Sequence, residues 1–185
     1  MKLLDFETAL APLKILCDGR PGVLVPIRGR YADELLPGAR MQLTLLPGKE
    51  SALYVERAYF MKPKLKKLFP VGGLVVFYVS GAKNGRKEAV GVGRITFYDT
   101  LTVTQALESL RRQGVYEEQE LRATADDNGN VNVFTFDTYI EFPIPLSYEE
   151  LKTMGCVGEA NLVTAQMLTA QQLKSIIRRG LNQEV

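Results

Sequence analysis

The chain has 185 residues, 46% of them hydrophobic and 24% charged, and its 23 Lys/Arg nearly balance its 21 Asp/Glu. That composition can bury a core, excludes wholesale disorder, and predicts a single domain over residues 1–185. There is no histidine and there are only two cysteines, Cys17 and Cys156, which excludes Ser-His-Asp and Cys-His catalysis and a Cys/His zinc site.

The elements are predicted as follows. Residues 2–16 place Leu3, Phe6, Leu10, Leu13 and Leu16 at loosely helical spacing, with Pro12 interrupting. Asp5 and Glu7 break the apolar run a signal peptide needs, and no stretch reaches the ~20 apolar residues of a membrane span. The default location is therefore the cytoplasm, with no membrane partner. "DGRPG" turns, "VLVPI" (23–27) is a short buried strand, and "RYADELL" (30–36) makes one or two helical turns ended by Pro37-Gly38. "ARMQLTLL" (39–46) alternates with period two, and "ALYVERAYF" (52–60) is again strand-like. "MKPKLKKLF" (61–69) is a basic segment of helical spacing.

"LVVFYVSG" (74–81) is apolar on both faces, hence a central strand. A polar loop joins it to the strand "EAVGVGRITFY" (88–98), so the two read as a hairpin. "TVTQALESLRRQG" (102–114) is the clearest helix, with a Thr N-cap and a terminal Gly. "YEEQELRATA" is a second short helix, and "VNVFTFDTYIEFPIPL" (131–146) a strand run. Capping-box patterns open two further helices, Ser147 with Glu150 and Thr169 with Gln172. Short strands with segregated helices predict an α+β fold around a curled or closed sheet.

Gly91 and Gly93 invite a dinucleotide reading, but position 96 is Thr and a strand follows where the fingerprint needs a helix. Two glycines two apart in a strand instead mark a bend or a close backbone approach.

The pair "LVVFYVSG … AVGVGRITFY" resembles the PUA-like superfamily, in particular its ASCH and EVE branches. "VLVPIRGRYADELLPGAR" looks like the ASCH opening, with Tyr31, Ala32, Leu35, Leu36, Gly38 and Arg40 at matching places, and "PIPLSYEELKTMG" fits the closing strand and helix. The resemblance covers residues 23–155. It implies a small curled β-barrel with peripheral helices, added to at both ends. It also implies a protein that binds RNA or DNA, or a modified nucleobase, without a cofactor. The ASCH pattern departs after Arg40, where Leu43 and Leu45 stand in place of a Glu and an Arg. Some ASCH relatives hydrolyse acetylated nucleosides with a Lys/Thr/Glu set. That Lys and Thr have no clear counterparts here, so the alternative of a small nucleoside or RNA hydrolase, using Lys or Tyr with Glu56, ranks second.

Nucleic-acid binding needs cations for phosphates and flat groups for bases. Residues 20–67 hold ten Lys/Arg and four Asp/Glu, whereas 115–160 hold two and ten. The binding candidates are Arg28, Arg30 and Arg40, then Arg57, Tyr59, Lys62, Lys64, Lys66 and Lys67, and Tyr78, Ser80 and Arg94. Each has a structural alternative. The basic run reads equally as a solvated face, Tyr78 as a core tyrosine, and Arg94 as the partner of an acid such as Asp99. The C-terminal "TAQQLKSIIRRG" reads as a helix docking its apolar stripe or as a recognition helix. The acidic 115–160 region offers a third function, docking of a protein partner.

Overall fold

The computed structural model describes residues 19–36, 55–63, 69–80, 86–159 and 162–182. The predicted helix over 2–16, the strand over 39–46, most of the basic 61–69 segment, Cys17, Arg40, Lys64, Lys66 and Lys67 lie outside them. In chain order the elements are β1 (Gly22–Arg28), α1 (Gly29–Leu35), β2 (Arg57–Met61), β3 (Leu74–Ser80), β4 (Glu88–Thr102), α2 (Val103–Leu110), α3 (Glu118–Thr124), β5 (Asn130–Ser147), α4 (Tyr148–Thr153), β6 (Gln166–Leu168) and α5 (Ala170–Gly180).

The six strands form one mixed sheet, ordered β2-β5-β4-β3-β1-β6. The β3–β4 hairpin is antiparallel, as its loop suggests. β1 lies parallel to β3, with Gly22 opposite Leu74 and Arg28 opposite Ser80. The architecture is α+β. Closure into a barrel is not seen in the hydrogen bonding: among the described residues no ladder joins β2 to β6, so the sheet is curled but open. β6 covers only residues 22–24 of β1, so among the described residues no strand pairs with the C-terminal half of β1 on that side.

Strand alternation builds the core on both sides of the sheet. On β3, Val75, Phe77 and Val79 face a concave core with Val23, Val25, Ile27, Tyr59, Phe134 and Phe136. Leu74, Val76 and Tyr78 face the opposite way, against Leu151, Leu173, Ile176 and Ile177. A third cluster packs Ala58, Phe60, Val131 and Val133 under Val103, Ala106 and Leu121. Truncating a fully buried ring such as Phe134 costs about 3–5 kcal/mol.

The helices are set by local chemistry. α2, α4 and α5 each start with a complete capping box, at Thr102–Gln105, Ser147–Glu150 and Thr169–Gln172. α5 docks its apolar stripe: Leu173, Ile176 and Ile177 are buried, and Arg179 pairs with Glu150 at 2.9 Å.

The glycines at 91 and 93 sit where the β4–β5 register shifts. A Cβ on Gly91 would lie 2.4 Å from Tyr139 Oη and 2.6 Å from the Ile140 carbonyl oxygen; one on Gly93 would lie 2.9 Å from Phe136 Cδ2. Their absence of side chain lets β5 bend tightly over β4, and Thr138 takes φ +48° in that bend.

Candidate functional site

The curl of the sheet brings β2 toward β1. The Tyr59 hydroxyl donates to the Pro26 carbonyl at 3.2 Å, and Ser80 Oγ donates to the Ile27 carbonyl at 3.2 Å. A pocket of about 660 Å³ opens at this seam. Its walls include Arg28, Tyr31, Tyr59, Lys62, Ser80 and Tyr116. That is the size of a pocket for one small organic ligand or one nucleotide.

Three tyrosines form the aromatic wall. The rings of Tyr31 and Tyr116 stack with centroids 4.4 Å apart and planes 21° apart. Tyr59 meets Tyr116 edge-on at 6.0 Å, and Phe60 meets it at 5.6 Å. Burial pushes the phenol of Tyr116 far up, and burial likewise raises Tyr59 and Tyr31. All three therefore stay neutral at physiological pH and act as flat surfaces with hydrogen-bonding tips. The positive charge of Arg28 is felt at all three rings. Arg28 and Lys62 are exposed and make no ion pair with any described residue. They are the cations at the pocket mouth that an anion can reach.

The other sequence candidates fall into separate places. Tyr78 also lines the pocket, but it is 2% exposed and its ring packs in the outer cluster, 6.3 Å from Tyr148. Arg30 lies outside the pocket lining, over the Tyr31 ring at 5.7 Å, and is held by Glu120 at 2.9 Å and Glu34 at 3.5 Å. Arg94 is 2% exposed and grips Asp137 through two hydrogen bonds, Nε to Oδ1 at 2.8 Å and Nη2 to Oδ2 at 2.5 Å. Its partner is thus Asp137 across the β4–β5 ladder and not the sequence-near Asp99. Arg57 is buried at the start of β2. Glu56 points away from the concave side and accepts from Thr96 Oγ1 at 2.5 Å and Thr135 Oγ1 at 3.0 Å.

Sequence reasoning passed over Tyr116, which lies in an acidic stretch with no pattern around it, and took Tyr31 only as part of the family resemblance. Their joint role depends on α1 and the loop before α3 meeting at the seam, which no local signal announces. The acidic 115–160 region is partly neutralised within the fold: Glu120 serves Arg30, Asp137 serves Arg94, Glu118 serves Arg122 and Glu159 serves Lys152. Among the described residues no group of three or more Cys, Asp or Glu is placed to hold a metal, and no helix is long and apolar enough to cross a membrane.

No protein-family model matches this chain, and no curated protein matches it. Solved structures do. A single-residue variant of ASCH from Zymomonas mobilis superposes with a TM-score of 0.64 at 10% identity, over 84% of this chain and 94% of that one. The ASCH from Zymomonas mobilis without that change gives 0.61 at 10% identity, over 84% and 93%. The chain has the fold of these ASCH structures. A protein from Leishmania major superposes on this chain with a TM-score of 0.53 at 14% identity, over 89% of this chain and 96% of that one. At such identities the likeness establishes the fold, and the chemistry has to be argued from the pocket.

Proposed function

We propose that this ASCH-type chain binds nucleic acid, RNA first among the candidates, by seating an unpaired or modified base in the seam pocket. One observation carries the reading: Arg28 and Lys62, two exposed cations with no ion pair among the described residues, stand at the mouth of a pocket walled by stacked Tyr31 and Tyr116 and by Tyr59. Cations meet phosphates without regard to sequence, and neutral aromatic rings offer faces on which any base can stack. Ser80 and the carbonyls of the β1 edge supply polar groups for a base edge. In this reading the curled sheet is the wall of a partly closed barrel, and the seam is its entrance. Arg40, Lys64, Lys66 and Lys67, outside the described residues, are kept as phosphate-contact candidates on their charge alone, in a protein that works in the cytoplasm.

The test is a fluorescence-anisotropy titration of short single- and double-stranded RNA and DNA at several salt concentrations. Wild type should bind with a steep salt dependence. An Arg28→Ala/Lys62→Ala variant should lose affinity and reduce the salt slope by about 2, one for each phosphate contact removed. Equal binding by both proteins removes the pocket mouth from the function. No binding by wild type removes nucleic acid altogether.

A further inference from the structure

Arg57 poses a problem that the pocket does not solve. On β2, Ala58 and Phe60 enter the outer cluster while Tyr59 and Met61 face the concave core. Alternation puts Arg57 on the concave side with Tyr59. It stands opposite Phe136 in the ladder, and Phe136 is fully buried. Arg57 is 8% exposed, and its Nε, though neither of its two Nη nitrogens, is sealed with no hydrogen-bond partner. No ion pair to it exists among the described residues. Its neighbour in sequence, Glu56, is turned to the other face and engaged by Thr96 and Thr135. Glu141 acts on Tyr139 but not on Arg57. Burial pushes the Arg57 guanidinium below its usual range, and the neighbouring phenol of Tyr139 opposes that shift.

A guanidinium carries five N–H donors, cannot shed its proton and is not left bare in a protein interior without a reason. Its planar fork matches two oxygens of an oxyanion. Two strand residues span about 7 Å, so Arg57 lies one such step from Tyr59 on the pocket wall. Arg57 is not itself among the residues that line the pocket, so the phosphate it would take lies one strand step beyond the tyrosines. We propose that Arg57 is an internal receptor for a phosphate group, distinct from the cations at the pocket mouth. The proposal deepens the nucleic-acid reading by naming a phosphate subsite, yet it stands or falls on Arg57 alone.

The experiment compares wild type, Arg57→Met and Arg57→Lys in thermal melts. Each is measured in anion-poor buffer and with inorganic phosphate, a 5′-mononucleotide or a short oligonucleotide. Arg57→Met keeps the apolar stem and removes an unpaired buried charge. Its Tm without anion should rise by about 3 °C. Phosphate ligands should raise the Tm of wild type by mass action. That rise should vanish in Arg57→Met and survive in weakened form in Arg57→Lys, which keeps charge but not the fork. Protection by phosphate and the mononucleotide assigns a free anion. Protection by the oligonucleotide alone assigns a backbone phosphate. A fall in Tm for Arg57→Met, including failure to fold, makes Arg57 a structural residue and overturns the proposal. So does a phosphate-dependent rise that persists in Arg57→Met, or no rise in wild type with any of the three. The Arg28→Ala/Lys62→Ala variant separates the two ideas: it should lose oligonucleotide binding while keeping its response to inorganic phosphate.

Discussion

Replacing Gly91 with alanine tests why the sheet bends where it does. The new Cβ would meet three atoms, Tyr139 Oη at 2.4 Å, Tyr139 Cζ at 2.6 Å and the Ile140 carbonyl oxygen at 2.6 Å. The phenol can swing away at the loss of its 3.3 Å hydrogen bond to the Val90 carbonyl. The carbonyl cannot, because it belongs to the β5 backbone laddered to β4. Overpacking of this kind costs about 1–3 kcal/mol. Stiffening of the unfolded chain by alanine returns only about 0.4–1 kcal/mol. The net loss should be roughly 1–2 kcal/mol, a fall in Tm of about 3–8 °C for a domain of this size. Urea unfolding of wild type, Gly91→Ala and Gly91→Ala/Tyr139→Phe measures it. The double variant should recover little, since it removes only the hydroxyl and leaves both the ring carbon Cζ and the Ile140 carbonyl oxygen at 2.6 Å. A Gly91→Ala protein within about 0.5 kcal/mol of wild type, or full rescue by Tyr139→Phe, would refute the claim that backbone contact fixes this position.

Three further outcomes are expected. Asp137→Asn removes the carboxylate that grips the buried Arg94 and should destabilise by about 3 kcal/mol, whereas Asp99→Asn, on an exposed residue, should stay within about 0.5 kcal/mol; chemical denaturation decides. Glu150 is held below the usual carboxylate range, first by the Ser147 backbone N–H and then by the Ser147 hydroxyl and Arg179. A depressed carboxylate stabilises the fold above its unfolded pKa, and that contribution disappears as pH falls through the lower folded value. Glu150→Gln should therefore lower stability at pH 7 and flatten the acid limb of a stability-versus-pH curve below about pH 4. Tyr116→Ala removes the outer stacking partner of Tyr31 and should weaken oligonucleotide binding by about 1–3 kcal/mol, while Tyr116→Phe should retain most of it; anisotropy separates the two.

What could be read in the sequence is what local chemistry decides. Thr102, Ser147 and Thr169 announce their helices because each cap and its partner lie three residues apart. The both-face apolar pattern of 74–80 marks a central strand wherever its neighbours come from. The parallel β1–β3 pair was not legible, since nothing in "VLVPI" specifies which strand it joins. The three-residue β6 carries too little pattern to be seen. Arg57 looks like the head of a basic run when read along the chain, and only the alternation of an edge strand turns it inward. Arg94 suggests Asp99 by proximity, but the register of two long strands brings Asp137 to it instead. Tyr116 has no periodicity to recommend it, because its value lies in the stack with Tyr31, 85 positions earlier in the chain.

The parallel pairing of β1 also bears on how the protein is made. Gly22 waits for Leu74, 52 residues later, and for Leu168, 146 residues later, before both its flanks are covered. At about 5–20 residues per second of translation, the first partner emerges roughly 3–10 s after β1 and the second roughly 7–30 s after it. Through that interval an apolar strand leaves the ribosome with neither neighbour available, and its docking becomes one of the last acts of folding. Variants that weaken β6 or α5 should thus betray themselves first as low yield and chaperone dependence in cells, before any change in the finished pocket.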